Sequence, residues 1–278
     1  MIAAPVLWST AGVVTRHVEQ ASAFEMVFWR SFFAFSFVAA TLLFLRRWDA
    51  VRSASWPGFF SGAMWAVMFT AFVIALSLTT TANTLVVMSI GPLLTAVFAR
   101  LALSDPVPAR TWIAAGAAGI GIAWMFAADF SPHHLAGMLV AAAIPVAAAA
   151  NVVTLRAVAA RLDLIPAVML GAALSALLAL PLAVPFSASA RDVALLAFLG
   201  CFQLALPCML LVIASRSLLA PEIALLGLLE VVLGPLWAWI GAGEIPAPTT
   251  LYGGTVVLAA LAANELSVLR RRRAASPA

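Results

Sequence analysis

Apolar residues run along this chain in continuous stretches of roughly 18 to 22, broken by short turns rich in Pro, Gly, Ser and Asp, a length that suits bilayer-crossing helices. Short alternating strands of a β-barrel would read differently. The stretches fall at 2–15, 24–45, 56–78, 81–103, 110–127, 135–155, 164–184, 193–214, 221–242 and 249–268. The series also repeats. Val13-Val14-Thr15 returns as Val152-Val153-Thr154 and Asp105 as Glu244, while Pro106-x-Pro108 returns one residue later as Pro246-x-Pro248, a period of about 139 residues. Each copy holds five stretches, and an odd number sends the second copy into the bilayer from the opposite side. The pattern therefore predicts an all-α integral membrane protein of ten transmembrane helices, built as two inverted five-helix repeats at 1–130 and 131–278. The first stretch covers about 21 Å against roughly 30 Å of hydrocarbon, so the chain is expected to enter part-way along its first helix.

Composition excludes a soluble protein: 65% of residues are hydrophobic, 9% are charged, and the mean hydropathy is +1.11. The longest polar interval, Arg46 to Ser55, is too short for a water-soluble domain. The net charge of +4 rests on arginines that, Arg30 apart, sit at segment ends, which speaks against nucleic acid as a partner. If the segments alternate, Arg46, Arg47, Arg52, Arg100, Arg110, Arg156, Arg161, Arg216 and Arg270 to Arg273 share one side, against Arg16 and Arg191 on the other. By the positive-inside rule both termini face the cytoplasm. Cys201 and Cys208 are about 10.5 Å apart along a helix, too far to pair, and read as free thiols. There is no His-Glu-x-x-His, phosphate loop or acidic pair within one span, so no enzyme, cofactor or metal site is expected. His133 and His134 fall in the loop between the copies.

Candidate chemistry lies inside the spans. Glu230 falls near the bilayer midplane, where a carboxylate is costly unless protonated or paired. It reads equally as a coupling or ammonium-binding group and as a protonated packing residue. Arg30 could hold a carboxylate with its fork, but snorkelling to the interface or pairing with Glu25 is the preferred reading. Glu222, after Pro221, suits a helix start, and Asp105 and Glu244 end their segments. Ser9, Thr10, Asn83, Ser89, Asn151 and Gln203 are polar positions at several depths; each alone reads as an interhelical hydrogen bond, but together they favour a wet cavity. Trp8, Trp65 and Met88 could wall an apolar pocket. Pro92, Pro145, Pro207 and Pro235 interrupt their helices as hinges or static kinks. Gly116, Gly119 and Gly121, with Gly253 and Gly254, mark the fifth and tenth segments as packing helices away from any site.

The stretches TTANTLVVMSIGPLLTAVFARLALSDPVP from Thr80 and APEIALLGLLEVVLGPLWAWIGAGEIPAP from Ala220 resemble the signature of the EamA family of the drug/metabolite transporter superfamily. Leu7-Trp8-Ser9-Thr10 and Arg30 within Phe28-Trp29-Arg30-Ser31-Phe32 extend the resemblance. The run Val6 to Thr10 is similar to that of YddG-type exporters of aromatic amino acids. Glu230-Val231, where many members carry Glu-Pro, and Asn151, where an aromatic residue is common, depart from the pattern. The resemblance implies ten helices, a central cavity lined by segments one to four and six to nine, and alternating-access export of a small metabolite from the cytoplasm across the inner membrane. The expected partners are that small molecule, an apolar or aromatic amino acid or relative, the lipid bilayer, and protons if Glu230 couples; a monomer is favoured. A proton-driven multidrug exporter and a non-transporting membrane scaffold are the competing readings. Smaller multidrug relatives use an acidic residue in the first helix, and segment one has none.

Overall fold

The computed structural model of the protein describes residues 1–15, 17–52, 55–79, 81–104, 107–125, 135–242 and 248–274. In chain order the helices are α1 (Ala3–Trp8), α2 (Ala11–Thr15), α3 (Ala23–Phe44), the single turn α4 (Asp49–Arg52), α5 (Trp56–Leu78), α6 (Thr81–Met88), α7 (Gly91–Ala102) and α8 (Ala109–Met125). They continue as α9 (Leu135–Val158), α10 (Ile165–Ala183), α11 (Ala190–Phe198), a π-helical stretch π1 (Leu199–Ala205), α12 (Leu206–Ala214), α13 (Ala220–Gly227), α14 (Leu229–Ala242) and α15 (Pro248–Ala274). Among the described residues there is no strand. Among the described residues five helical stretches are long and apolar enough to cross a membrane: α3, α5, α9, α10 and the continuous run Ala190–Ala214. Large side chains such as Phe44, Trp56, Leu101, Ile113 and Ile120 cover the outer faces, as suits contact with lipid.

Three segments expected as continuous helices are broken. The first stops after Trp8 because the hydroxyls of Ser9 and Thr10 fold back onto the carbonyls of Val6 and Leu7, at 2.6 and 2.8 Å. The fourth breaks at Ser89–Ile90, just before Gly91-Pro92, where proline removes one hydrogen bond and crowds the preceding turn. Pro92 therefore starts a helix and does not kink one. The ninth breaks at Leu228, where the bonds Leu228 to Leu225 and Val231 to Leu228 span three residues in place of four. Pro145 does lie inside a continuous helix, α9, and Pro207 opens α12 directly after π1. Pro235 falls within α14, but its side chain lies outside the described residues, as do Asp105, Glu244, His133 and His134.

α3, α10, α5 and α9 form a row in which each helix packs on the next. Small residues permit the close approach. A Cβ built on Gly171 of α10 would stand 2.8 Å from the Gly62 carbonyl oxygen of α5, and one on Gly62 would stand 2.7 Å from Leu170. Beside this contact, Ser31 of α3 donates to Ser175 of α10 at 3.0 Å, and Thr70 of α5 shares the Ser175 hydroxyl at 3.0 Å. Three helices thus satisfy their hydroxyls on one another. α8 and α15 pair separately; Gly121 lies against Gly253 and Val257, whereas Gly116 and Gly119 face open space.

Both ends of α3 are tied. At its start the buried Glu25 carboxylate accepts the backbone N–H groups of Ser187 and Ala188 at 2.8 to 3.1 Å, plus the Ser187 hydroxyl at 2.9 Å. Asp192 returns the arrangement: it accepts the N–H groups of Glu19, Gln20 and Ser189 at 3.1 to 3.2 Å while completing the capping box of α11. Phe28, Trp29 and Phe186, with ring centroids 5.2 to 5.3 Å apart, cluster beside this clasp, and the Trp29 indole donates to Glu25 at 3.4 Å. Beyond the far end of α3, Asp163 bridges Arg47 at 3.3 Å and Arg216 at 3.5 Å.

Two substitutions test this framework. Gly171→Ala forces α5 and α10 apart and is expected to cost about 1–3 kcal/mol, seen as a lowered Tm of the detergent-purified protein. Asp192→Ala strands three backbone donors and is expected to cost about 1–3 kcal/mol in the same assay, whereas substituting the exposed Arg191 should shift the Tm little.

Candidate functional site

The helix breaks gather around one internal cavity of about 170 Å³. Its wall takes Trp8 from α1, Arg30 from α3, Trp65, Met68, Phe69 and Phe72 from α5, and Met88 from α6. Gly91, Pro92 and Thr95 of α7 and Ile144, Pro145, Asn151 and Val152 of α9 continue it. Gln203, Leu204, Cys208, Ile223, Leu228, Glu230 and Val231 lie on it as well. Among the described residues none of α8, α10 or α15 is on this wall. The absence of α8 and α15 matches their small-residue packing; α10 is occupied by its contacts with α3 and α5.

Most of the wall is apolar, interrupted among the described residues by the polar side chains of Arg30, Thr95, Asn151, Gln203 and Glu230. Arg30, only 6% exposed, points inward and donates through Nη2 to Gln203 Oε1 at 2.9 Å. Snorkelling and pairing with Glu25, the readings preferred from sequence, are both overturned, because Glu25 is fully engaged by Ser187, Ala188 and Trp29. Gln203 donates onward to the Trp8 carbonyl at 3.2 Å. It sits in π1, whose wider turn interrupts the α-helical register of the eighth segment, and such turns often aim side chains at functional sites. Gly200 lets π1 press on α3: a Cβ there would stand 2.7 Å from Phe33 and 3.1 Å from the Ala34 nitrogen.

Asn151 accepts from the Ser61 hydroxyl at 2.6 Å. Its Nδ2, together with Arg30 Nε and Trp65 Nε1, is buried without a hydrogen-bond partner. Each such orphan costs on the order of 1–3 kcal/mol in a sealed protein. Glu230 lies in the first turn of α14, where the unpaired N–H groups of a helix start favour a carboxylate. The break at Leu228 creates that helix start at depth. Among the described residues Glu230 makes no hydrogen bond or ion pair, and it interacts with Arg30 through charge alone.

Of the candidates read from sequence, Trp8, Arg30, Trp65, Met88, Asn151, Gln203 and Glu230 share this cavity, as do Pro92 and Pro145. Ser9 and Thr10 are not on its wall; their hydroxyls are spent on the α1 break, and the Trp237 indole donates to Ser9 at 2.8 Å. The side chain of Asn83 lies outside the described residues. Pro207 adjoins the wall residue Cys208 but is not itself part of it. Sequence reasoning missed Met68, Phe69 and Phe72, although their spacing of three, four and seven from Trp65 is one helical face.

Residues 1–127 match the model of the EamA-like transporter family. A solved crystal structure shares the fold at a TM-score of 0.80 and 20% identity, over 94% of each chain. No curated protein matches the chain. Taken with the apolar helices, the family match indicates a multi-pass membrane protein of the transporter type. Over its first 127 residues the chain is thus similar to the EamA-like transporter family, which is part of the drug/metabolite transporter superfamily.

Proposed function

We propose that the protein exports small apolar or aromatic amino acids, or related metabolites, across the inner membrane by alternating access to the cavity. The observation that carries this reading is the cavity itself: a space of about 170 Å³, walled by aromatic and methionine side chains of the first half and mainly aliphatic side chains of the second, and interrupted by a few buried polar groups. A cavity of about 150 Å³ already accepts one benzene ring, so this one suits a single ring or a branched aliphatic group. Drug-sized ligands occupy roughly 300 Å³ or more. That difference favours a metabolite over a broad range of drugs. A scaffold would have no use for orphaned donors in its centre, whereas a carrier fills them with cargo.

The halves 1–130 and 131–278 act in this reading as inverted five-helix repeats. Helix starts support it, since Thr81 of α6 corresponds to Ala220 of α13 and Ala109 of α8 to Pro248 of α15, at the period of about 139 residues found in the sequence. The breaks at Ser89–Ile90 and Leu228 are likewise equivalent, and broken helices with free ends at depth are how transporters line a site. The arginine bias puts both termini in the cytoplasm. One chain supplies every described residue of the wall, which is compatible with a monomer. Glu230, without a hydrogen bond among the described residues, is the one wall carboxylate able to take up a proton during the cycle, which keeps a proton-coupled exporter as the second reading.

In liposomes loaded with threonine, methionine, phenylalanine or tryptophan, the purified protein is expected to drive uptake of the labelled counterpart. No counterflow with any of the four sinks the amino-acid reading, and movement of a cationic dye driven by a pH gradient favours the multidrug one. For coupling, Glu230→Gln is expected to flatten the pH dependence of transport. An unchanged profile removes Glu230 from the proton path.

A further inference from the structure

We propose that the cavity contains a carboxylate seat formed by Arg30, Trp65 and Asn151, and that cargo is recognised by a carboxylate carried on an apolar body. The inference rests on the carrier reading above and assigns which atoms of the wall read which part of the cargo. Three side chains on this wall hold a nitrogen donor with no partner: Arg30 Nε, Trp65 Nε1 and Asn151 Nδ2. All three are more than nine-tenths buried, at 6%, 1% and 1% exposure. They come from α3, α5 and α9, so no single helix explains their being unsatisfied.

The orphaned groups are of one kind. Every one donates, and a carboxylate only accepts, with two oxygens and about four lone-pair directions to offer. The guanidinium fork suits that geometry, and Gln203 holds it in place by accepting from Nη2, while the neighbouring Nε–H has no partner. A hydroxyl or an amide carbonyl offers two lone pairs and so satisfies at most two of the three donors. Charge narrows the choice further. Among the described wall residues Arg30 carries the one cationic side chain and Glu230 the one anionic side chain, so the side chains of the wall are together close to neutral. A phosphate dianion would leave buried charge unbalanced, whereas a single carboxylate is matched by Arg30, and an α-ammonium beside it would be matched by Glu230. The remaining wall of Trp8, Met68, Phe69 and Phe72 is apolar and takes the side chain, with methionine able to adjust to its shape.

The test measures ligand-induced thermal stabilisation of the detergent-purified full chain with phenylalanine, phenylalaninamide and phenethylamine, which share a ring and differ at the carboxylate. Binding to the folded form raises the Tm according to concentration over Kd. Phenylalanine is expected to bind at least about tenfold more tightly than the amide or the amine, the ratio set by losing hydrogen bonds to a charged group. Arg30→Gln should reduce phenylalanine to the level of the amine. Trp65→Phe removes only the indole donor and keeps the ring, so it guards against a folding failure, and it should weaken phenylalanine by roughly threefold to tenfold while leaving the amine unchanged. Equal stabilisation by the amide or amine, no response to phenylalanine, or unaltered phenylalanine affinity in Trp65→Phe would overturn the seat. Liposome counterflow separates the two ideas: transport of another metabolite with no phenylalanine binding leaves the carrier and removes the seat, while selective phenylalanine binding without counterflow does the reverse.

Discussion

A guanidinium set in the middle of an apolar helix dictates much of what surrounds it. Arg30 lies about 10 Å along α3, turned away from lipid, and Gln203 across the helix interface accepts its Nη2 hydrogen bond. Gln203 in turn occupies the wide turn of π1 and rests on the Trp8 carbonyl, which belongs to the end of a six-residue helix. Gly200 is the reason π1 can come so close. One buried charge thereby fixes the relation of three elements drawn from distant parts of the chain. A charged group at this depth is tolerated when the interior supplies partners or a cavity, and here the interior supplies both.

Much of the helical plan was legible in the sequence because lipid imposes a simple rule: a long uninterrupted apolar stretch is a helix, and its ends are polar. Trp56–Leu78 emerges with the expected limits and Ala23–Phe44 is displaced by one residue. The breaks were harder to read. Ser9 and Thr10 are compatible with an unbroken helix until one sees their hydroxyls bound to the turn behind them, and Leu228 carries no breaking residue of its own. Gln203 was noticed as polar, but nothing in its neighbours announces a π turn.

The site was legible in type and less so in partnership. Deep polar residues pointed to a cavity, and Trp8, Asn151, Gln203 and Glu230 share it. What sequence could not supply was who pairs with whom. Glu25 stood five residues from Arg30 and looked like its natural counter-ion, yet it belongs to a loop 162 residues away. Removing that competitor is what leaves the arginine free for the interior. The break at Leu228 likewise changes Glu230 from a residue in mid-helix to one at a helix start.

The clasp at the beginning of α3 reads peptide groups far more than side chains. Glu25 and Asp192 hold the amides of residues 19, 20, 187, 188 and 189, and an amide is the same whatever residue bears it, proline excepted. These two loops can therefore drift in composition, and so adapt to whatever medium they face, without loosening the closure, provided that the two acids stay and no imino acid enters.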